Sequence, residues 1–135
     1  LRGSKTKYGL GYLPRLRPDG FERRHRLPAA DPRIHFALNC AAASCPPIAA
    51  YTADGVDDEL DRTVAGFLDA DCGYDDRGRL AVSRLFLYYR GDFGGRSGIY
   101  DFLREHGVLA AGERPRVTYK PYDWTRKLGH FEDGE

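Results

Sequence analysis

Apolar positions change their spacing several times along these 135 residues, and each change marks a new element. Residues 1–30 are rich in Gly, Pro and Arg and hold no sustained period, which predicts irregular chain. Over 33–39, Ile34, Phe36 and Leu38 alternate with His35, Ala37 and Asn39, the period of a half-buried strand. Its polar face would then present His35 and leave that imidazole partly accessible. Small residues follow, and Pro46-Pro47 stops any regular hydrogen-bonded element. From 54 to 70 the interval lengthens: Val56, Leu60, Val64, Phe67 and Leu68 form the apolar stripe of an amphipathic helix, with Thr52 or Asp54 as its cap. The opposite face carries Asp57, Asp58, Glu59 and Asp61 near the helix start, where the dipole favours them. Residues 75–78 read as a turn and 79–83 as a short strand; Ser83 would cap a short aromatic-rich helix reaching Tyr89. Ser97 would cap a helix through His106, stopped by Gly107, and 116–120 gives a last strand. Runs of strand and helix in this order predict an α+β fold: a small sheet of short strands packed with about three helices, behind an irregular basic N-terminal arm.

Composition narrows the class. Apolar residues make up 41%, enough for a core, and no apolar run approaches the ~20 residues of a membrane helix. Net charge is +1 but unevenly placed: residues 1–27 hold eight Lys or Arg against Asp19 and Glu22, and the remainder leans acidic. The basic arm, with Arg23-Arg24-His25-Arg26, reads as a solvated loop or as a segment lying against an acidic face of this chain or of another subunit, with binding of phosphate or an acidic partner as the alternative. It carries no nucleic-acid motif, and Tyr8, Tyr12 and Phe21 make no base-stacking signature. Three cysteines argue against a disulfide framework and favour a reducing, cytoplasmic compartment; a single Cys40–Cys45 bridge is the alternative in an exported protein.

The densest group of reactive side chains is His35, Asn39, Cys40, Ser44 and Cys45. A thiol beside an imidazole suffices for nucleophilic acyl transfer, with Cys45 or Cys40 as nucleophile, His35 as base and Asn39 orienting the ring or an oxyanion. Against this stands Pro46-Pro47, which offers no N–H groups and no helix dipole to hold a thiolate. His35, Cys40 and Cys45 as metal ligands is a second reading, although spacings of five residues fit no common zinc pattern. In a third reading these residues are structural, a buried cysteine and histidine in a rigid turn. His25, His106 and His130 read as exposed, Cys72 as a lone packed thiol, and Asp123 as a turn or cap. No cofactor motif is present, and no cofactor is expected.

Four strings together carry a resemblance: DPRIHFALNCAAASCPP (31–47), YTADGVDDELDRTVAGFL (51–68), SRLFLYYRGDFGG (83–95) and VTYKPYDW (117–124). In this order they resemble the signatures of the domain-of-unknown-function 547 family. The resemblance divides the chain into a basic arm at 1–30, a family-like region at 31–124 and a tail at 125–135. It implies an upstream half of the domain, with an Asn-Ala-Tyr-Asn helix, of which only Leu1-Arg2-Gly3 stands here. The missing half, or another subunit, is then the expected partner. Trp124-Thr125-Arg126-Lys127 also departs from the family's usual Trp-Ser-Leu-Asn ending. No reaction follows from the resemblance itself. The residues leave two functions open: a thiol-dependent hydrolase or acyl transferase acting on a small amide or thioester, and a non-catalytic interaction or assembly domain.

Overall fold

Leu60, Val64 and Leu68 lie on one stripe of a single long helix, and the rest of the core is assembled against it. The computed structural model describes residues 20–25 and 31–129. In chain order these form α1 (Gly20–His25), α2 (Ile34–Ala37), α3 (Val56–Asp71), β1 (Gly73–Tyr74), β2 (Leu80–Val82), α4 (Leu85–Tyr88), α5 (Gly95–Glu105) and β3 (Val117–Tyr119). The three strands make one sheet in the order β1-β2-β3, antiparallel between β1 and β2 and parallel between β2 and β3. The parallel step needs a long crossover, and α4 and α5 supply it. This is the expected α+β architecture.

Most elements follow from the sequence periods, and α3 starts within two residues of its expected position. Its cap differs. Gly55 occupies the N-cap without a side-chain bond, while the Thr52 hydroxyl oxygen accepts the Gly55 N–H at 3.1 Å. The Glu59 carboxylate accepts the Thr52 N–H at 2.7 Å and its hydroxyl at 2.9 Å, so helix start and preceding turn brace each other. Ser83 sits where expected before α4, accepting the Leu85 N–H at 3.3 Å. The start of α5 is a correction: Gly94, with φ 77°, precedes the helix, and Ser97 lies inside it. At Gly98 a Cβ would collide with the Phe93 carbonyl, so only glycine permits this tight entry.

The larger correction is at 33–39, where α2 replaces the expected strand. Pro32 fixes the entry, and the N–H groups of Ile34, His35 and Phe36 turn back onto the carbonyls of Asp31, Pro32 and Arg33. Arg33 secures the turn by pairing with Asp31 and Asp57, both at 2.7 Å, and with Asp61 at 2.9 Å. The Asp57–Asp61 face of α3 therefore receives Arg33, a residue outside the basic 1–27 stretch. Burial pushes the Asp31 carboxyl up, but its bonds to Arg33 outweigh that and hold it below the usual range. In the helix His35 and Phe36 are both buried and Leu38 is 66% exposed, the reverse of the strand expectation for His35 and Leu38. A single helical turn and a six-residue alternation are too short for periodicity to separate.

Phe36 enters a cluster of four phenylalanines. It stacks on Phe102 at 5.7 Å, Phe102 meets Phe93 edge-on at 5.1 Å, and Phe93 meets Phe86 at 4.8 Å. Val64, Leu68, Leu80, Val82, Ile99 and Leu103 complete this core. In the stretch expected to be irregular, residues 20–25 form α1; the rest of 1–30 lies outside the described residues.

Candidate functional site

Directly after α2 the chain makes a tight loop that folds two cysteines onto each other. The Asn39 side chain shapes it: its carbonyl oxygen accepts the Ala41 N–H at 2.6 Å, and its amide donates to the Pro46 carbonyl at 2.5 Å. Ala41 is thereby held at φ 62°, a left-handed conformation that a residue with a Cβ rarely adopts. The turn brings the Cys40 and Cys45 sulfurs to 2.8 Å, both as free thiols. The Cys40 backbone N–H donates to the Cys45 sulfur at 3.1 Å. Cys40 is exposed, whereas Cys45 is 4% exposed.

A second segment closes over this loop. The N–H groups of Ala43 and Ser44 donate to the carbonyls of Thr125 and Asp123, and the Lys127 N–H donates to the Ala41 carbonyl. The Ser44 hydroxyl accepts the Asp123 N–H at 2.8 Å. Tyr122 is thereby placed with its hydroxyl 3.2 Å from the Cys45 sulfur and 3.8 Å from that of Cys40. Its ring packs edge-on against Tyr88 at 5.7 Å and tilted against Trp124 at 4.5 Å.

These contacts decide the electrostatics of the thiols. Burial pushes the Cys45 thiol up, but hydrogen bonds from Cys40, from Tyr122 and from backbone of Cys40 and Ala42 outweigh it and hold the group below the ordinary thiol range. Tyr122 moves the other way: burial, then its bonds to Cys45 and Cys40, push the phenol up, so it remains a protonated donor. Backbone and phenol thus supply the donors that Pro46-Pro47, with no N–H groups and no helix start, do not.

His35 leads to a separate pair. Its Nε2 lies 2.9 Å from an Asp92 carboxylate oxygen, with both side chains almost fully buried, and its ring stacks on Tyr89 at 3.8 Å. Asp92 and Tyr122 were not anticipated as site residues, although both stand inside the strings that carried the family resemblance. Asn39 braces the loop. Ser44 fastens it to the closing segment.

The remaining candidates lie elsewhere. Burial, then the Asp71 charge, pushes the Cys72 thiol up to about 12. With Leu68, Asp69, His106 and Val108 it lines a cleft of about 390 Å³ that includes none of His35, Asn39, Cys40 or Cys45. His106 is half-buried and packs on Phe102 at 4.4 Å, a correction to its expected exposure. His25 is exposed, and His130 lies outside the described residues. Among the described residues no group of three or more His, Cys, Asp or Glu side chains is placed to hold a metal ion. Nor is any helix there long and apolar enough to cross a membrane.

The model of a family described as "Protein of unknown function, DUF547" matches residues 3–68, which include α2, the cysteine loop and most of α3. That stretch is similar to the DUF547 family. No curated protein and no solved structure matches the chain. The DUF547 match takes in His35, Asn39, Cys40 and Cys45, while Asp92 and Tyr122 lie beyond its end.

Proposed function

We propose that this chain carries a thiol-dependent centre in which Cys45 supplies the thiolate, in the manner of a hydrolase or acyl transferase acting on an amide or thioester. The observation that carries the reading is the pair of donors on the Cys45 sulfur, the Cys40 N–H at 3.1 Å and the Tyr122 hydroxyl at 3.2 Å. A sulfur so solvated is deprotonated at lower pH, and the thiolate is the nucleophilic form. Attack on a carbonyl carbon would form an S-acyl bond and release an amine or thiol, and water or another acceptor would then take the acyl group. Asn39 acts through the loop it braces, whereas His35 pairs with Asp92 and is not among the described contacts of either sulfur.

A panel of activated thioesters tests this. Cys45→Ala should abolish turnover, and His35→Gln should lower it by ~10²-fold or more if the imidazole moves the proton. Turnover that survives Cys45→Ala would end the reading. An assembly role is the second reading, favoured by Leu38, Trp124 and Leu128, which are 66%, 67% and 72% exposed. In that case sedimentation should show association that survives raised salt. Association lost in salt would point instead to the basic arm at 1–27.

A further inference from the structure

Nucleophilic attack needs one thiol, and this corner holds two. The second sulfur is not incidental to the loop: the left-handed Ala41, the Asn39 brace and the Cys40 N–H all bring Cys40 back onto Cys45. At 2.8 Å the sulfurs need approach by only ~0.8 Å to reach a covalent S–S distance of ~2.05 Å. One of them is exposed and the other buried, so a reagent can meet the first while the second waits beneath it. Tyr122 touches both sulfurs, which gives a departing or arriving thiolate a donor in either state.

We propose that Cys40 and Cys45 form a reversible dithiol–disulfide couple that exchanges two electrons with disulfide-bearing molecules. The proposal rests on the thiolate of the preceding section but assigns it a further activity.

The steps balance as follows. With one proton shared between the two sulfurs, the exposed Cys40 sulfur attacks a disulfide R–S–S–R while its proton passes to Cys45. A Cys40–S–S–R bond forms, the first RS⁻ leaves, and it takes the proton from Cys45. The Cys45 thiolate, held by the Cys40 N–H and the Tyr122 hydroxyl, then attacks the Cys40 sulfur. The Cys40–Cys45 bond forms and the second RS⁻ leaves. The couple is oxidised by two electrons and R–S–S–R is reduced to RSH and RS⁻; a free dithiol drives the reverse. Because the bond consumes the Cys45 thiolate, the oxidised form has no nucleophile, so the couple also turns the proposed acyl-transfer centre off.

The test equilibrates the protein carrying this chain in a series of oxidised and reduced glutathione buffers, quenches with acid, blocks free thiols with N-ethylmaleimide and reads the peptides by mass. The expected result is a Cys40–Cys45 disulfide, 2 Da lighter than the dithiol (two hydrogens lost), which forms and reverses with a single midpoint while Cys72 stays a free thiol. Cys40 and Cys45 remaining blocked as thiols across the whole series would overturn the proposal, as would a stable glutathione adduct on Cys40 that never resolves. The Cys40→Ser protein separates this inference from the previous one. Rapid alkylation of Cys45 in that variant, combined with no disulfide in the parent, sinks only the couple. Disulfide formation in the parent with no thioester turnover in its reduced form sinks only the acyl-transfer reading.

Discussion

A buried thiol, Cys45, and a half-buried one, Cys72, are driven in opposite directions in this molecule. Beside Cys72 stand the end of α3 and the Asp71 carboxylate, which the Lys120 ammonium partly offsets from 3.3 Å; burial leads, and the thiol is pushed up to about 12. At Cys45 burial acts in the same sense, yet donors from Cys40, Tyr122 and the loop backbone outweigh it. Burial alone therefore does not decide whether a cysteine is inert. What decides is whether the surrounding groups can donate to sulfur when its proton leaves. A cleft is equally uninformative by itself, since the one described beside Cys72 surrounds the thiol that burial pushes up.

Alkylation kinetics would break or sharpen this contrast most directly. With Cys72 near 12 and Cys45 below the ordinary thiol range, thiolate fractions at neutral pH should differ by ~10³-fold or more. Iodoacetamide at pH 7 should therefore modify the Cys40–Cys45 pair well before Cys72. As pH rises, labelling of Cys45 should level off once its thiolate is fully formed, while labelling of Cys72 keeps rising. Equal rates at the two places would erase the contrast. Removing the phenol donor with Tyr122→Phe is the next largest effect: loss of a hydrogen bond to the charged sulfur should move the Cys45 titration up. The sign for stability follows from a depressed folded-state value. The stabilisation is present above the unfolded thiol range and is lost as pH falls through the folded value. Denaturant titrations should then show Tyr122→Phe costing more at pH 9.5 than at pH 6, and an equal cost would assign Tyr122 a packing role alone.

Asp71→Asn should lower the Cys72 titration by less than the part that burial supplies, because the charge is the smaller of the two causes. Thiolate absorbance near 240 nm would follow it, and an unchanged titration would leave burial as the whole explanation. The smallest effect is Ala41→Gly. Relief of a left-handed alanine should raise stability by no more than ~1 kcal/mol, since glycine also frees the unfolded chain. A loss of stability would mean that the loop depends on the Ala41 methyl rather than on its backbone shape.

Where the sequence was legible, an element was long enough or punctuated enough to state its own period. Leu60, Val64 and Leu68 spell out α3 over four turns, and Gly107, at φ 74°, stops the chain just beyond α5 as read. The His35 segment is shorter than either signal, and its conformation is set by Pro32 and by Arg33 reaching across to Asp57 and Asp61. The candidate site divides in the same way. Two neighbouring cysteines with a histidine and an asparagine are visible as a local cluster, but their partners are not. Asp92 stands 57 residues from His35, and Tyr122 stands 77 from Cys45. No local spacing encodes which distant phenol or carboxylate will arrive.

That long separation sets the order in which the corner is built. During synthesis Cys45 emerges 77 residues before the tyrosine that donates to it, an interval of roughly 4–15 s at 5–20 residues per second. Until then its sulfur lacks the phenol, and it lacks the cover of the closing segment that pairs Ala43 and Ser44 with Thr125 and Asp123. A nascent chain therefore displays both cysteines unclosed, with Cys45 less readily ionised than in the finished corner. The contacts around the two sulfurs are complete only when nearly the last part of the described chain docks, so on the proposed reading a ribosome-bound intermediate and the finished protein would answer the same oxidant differently.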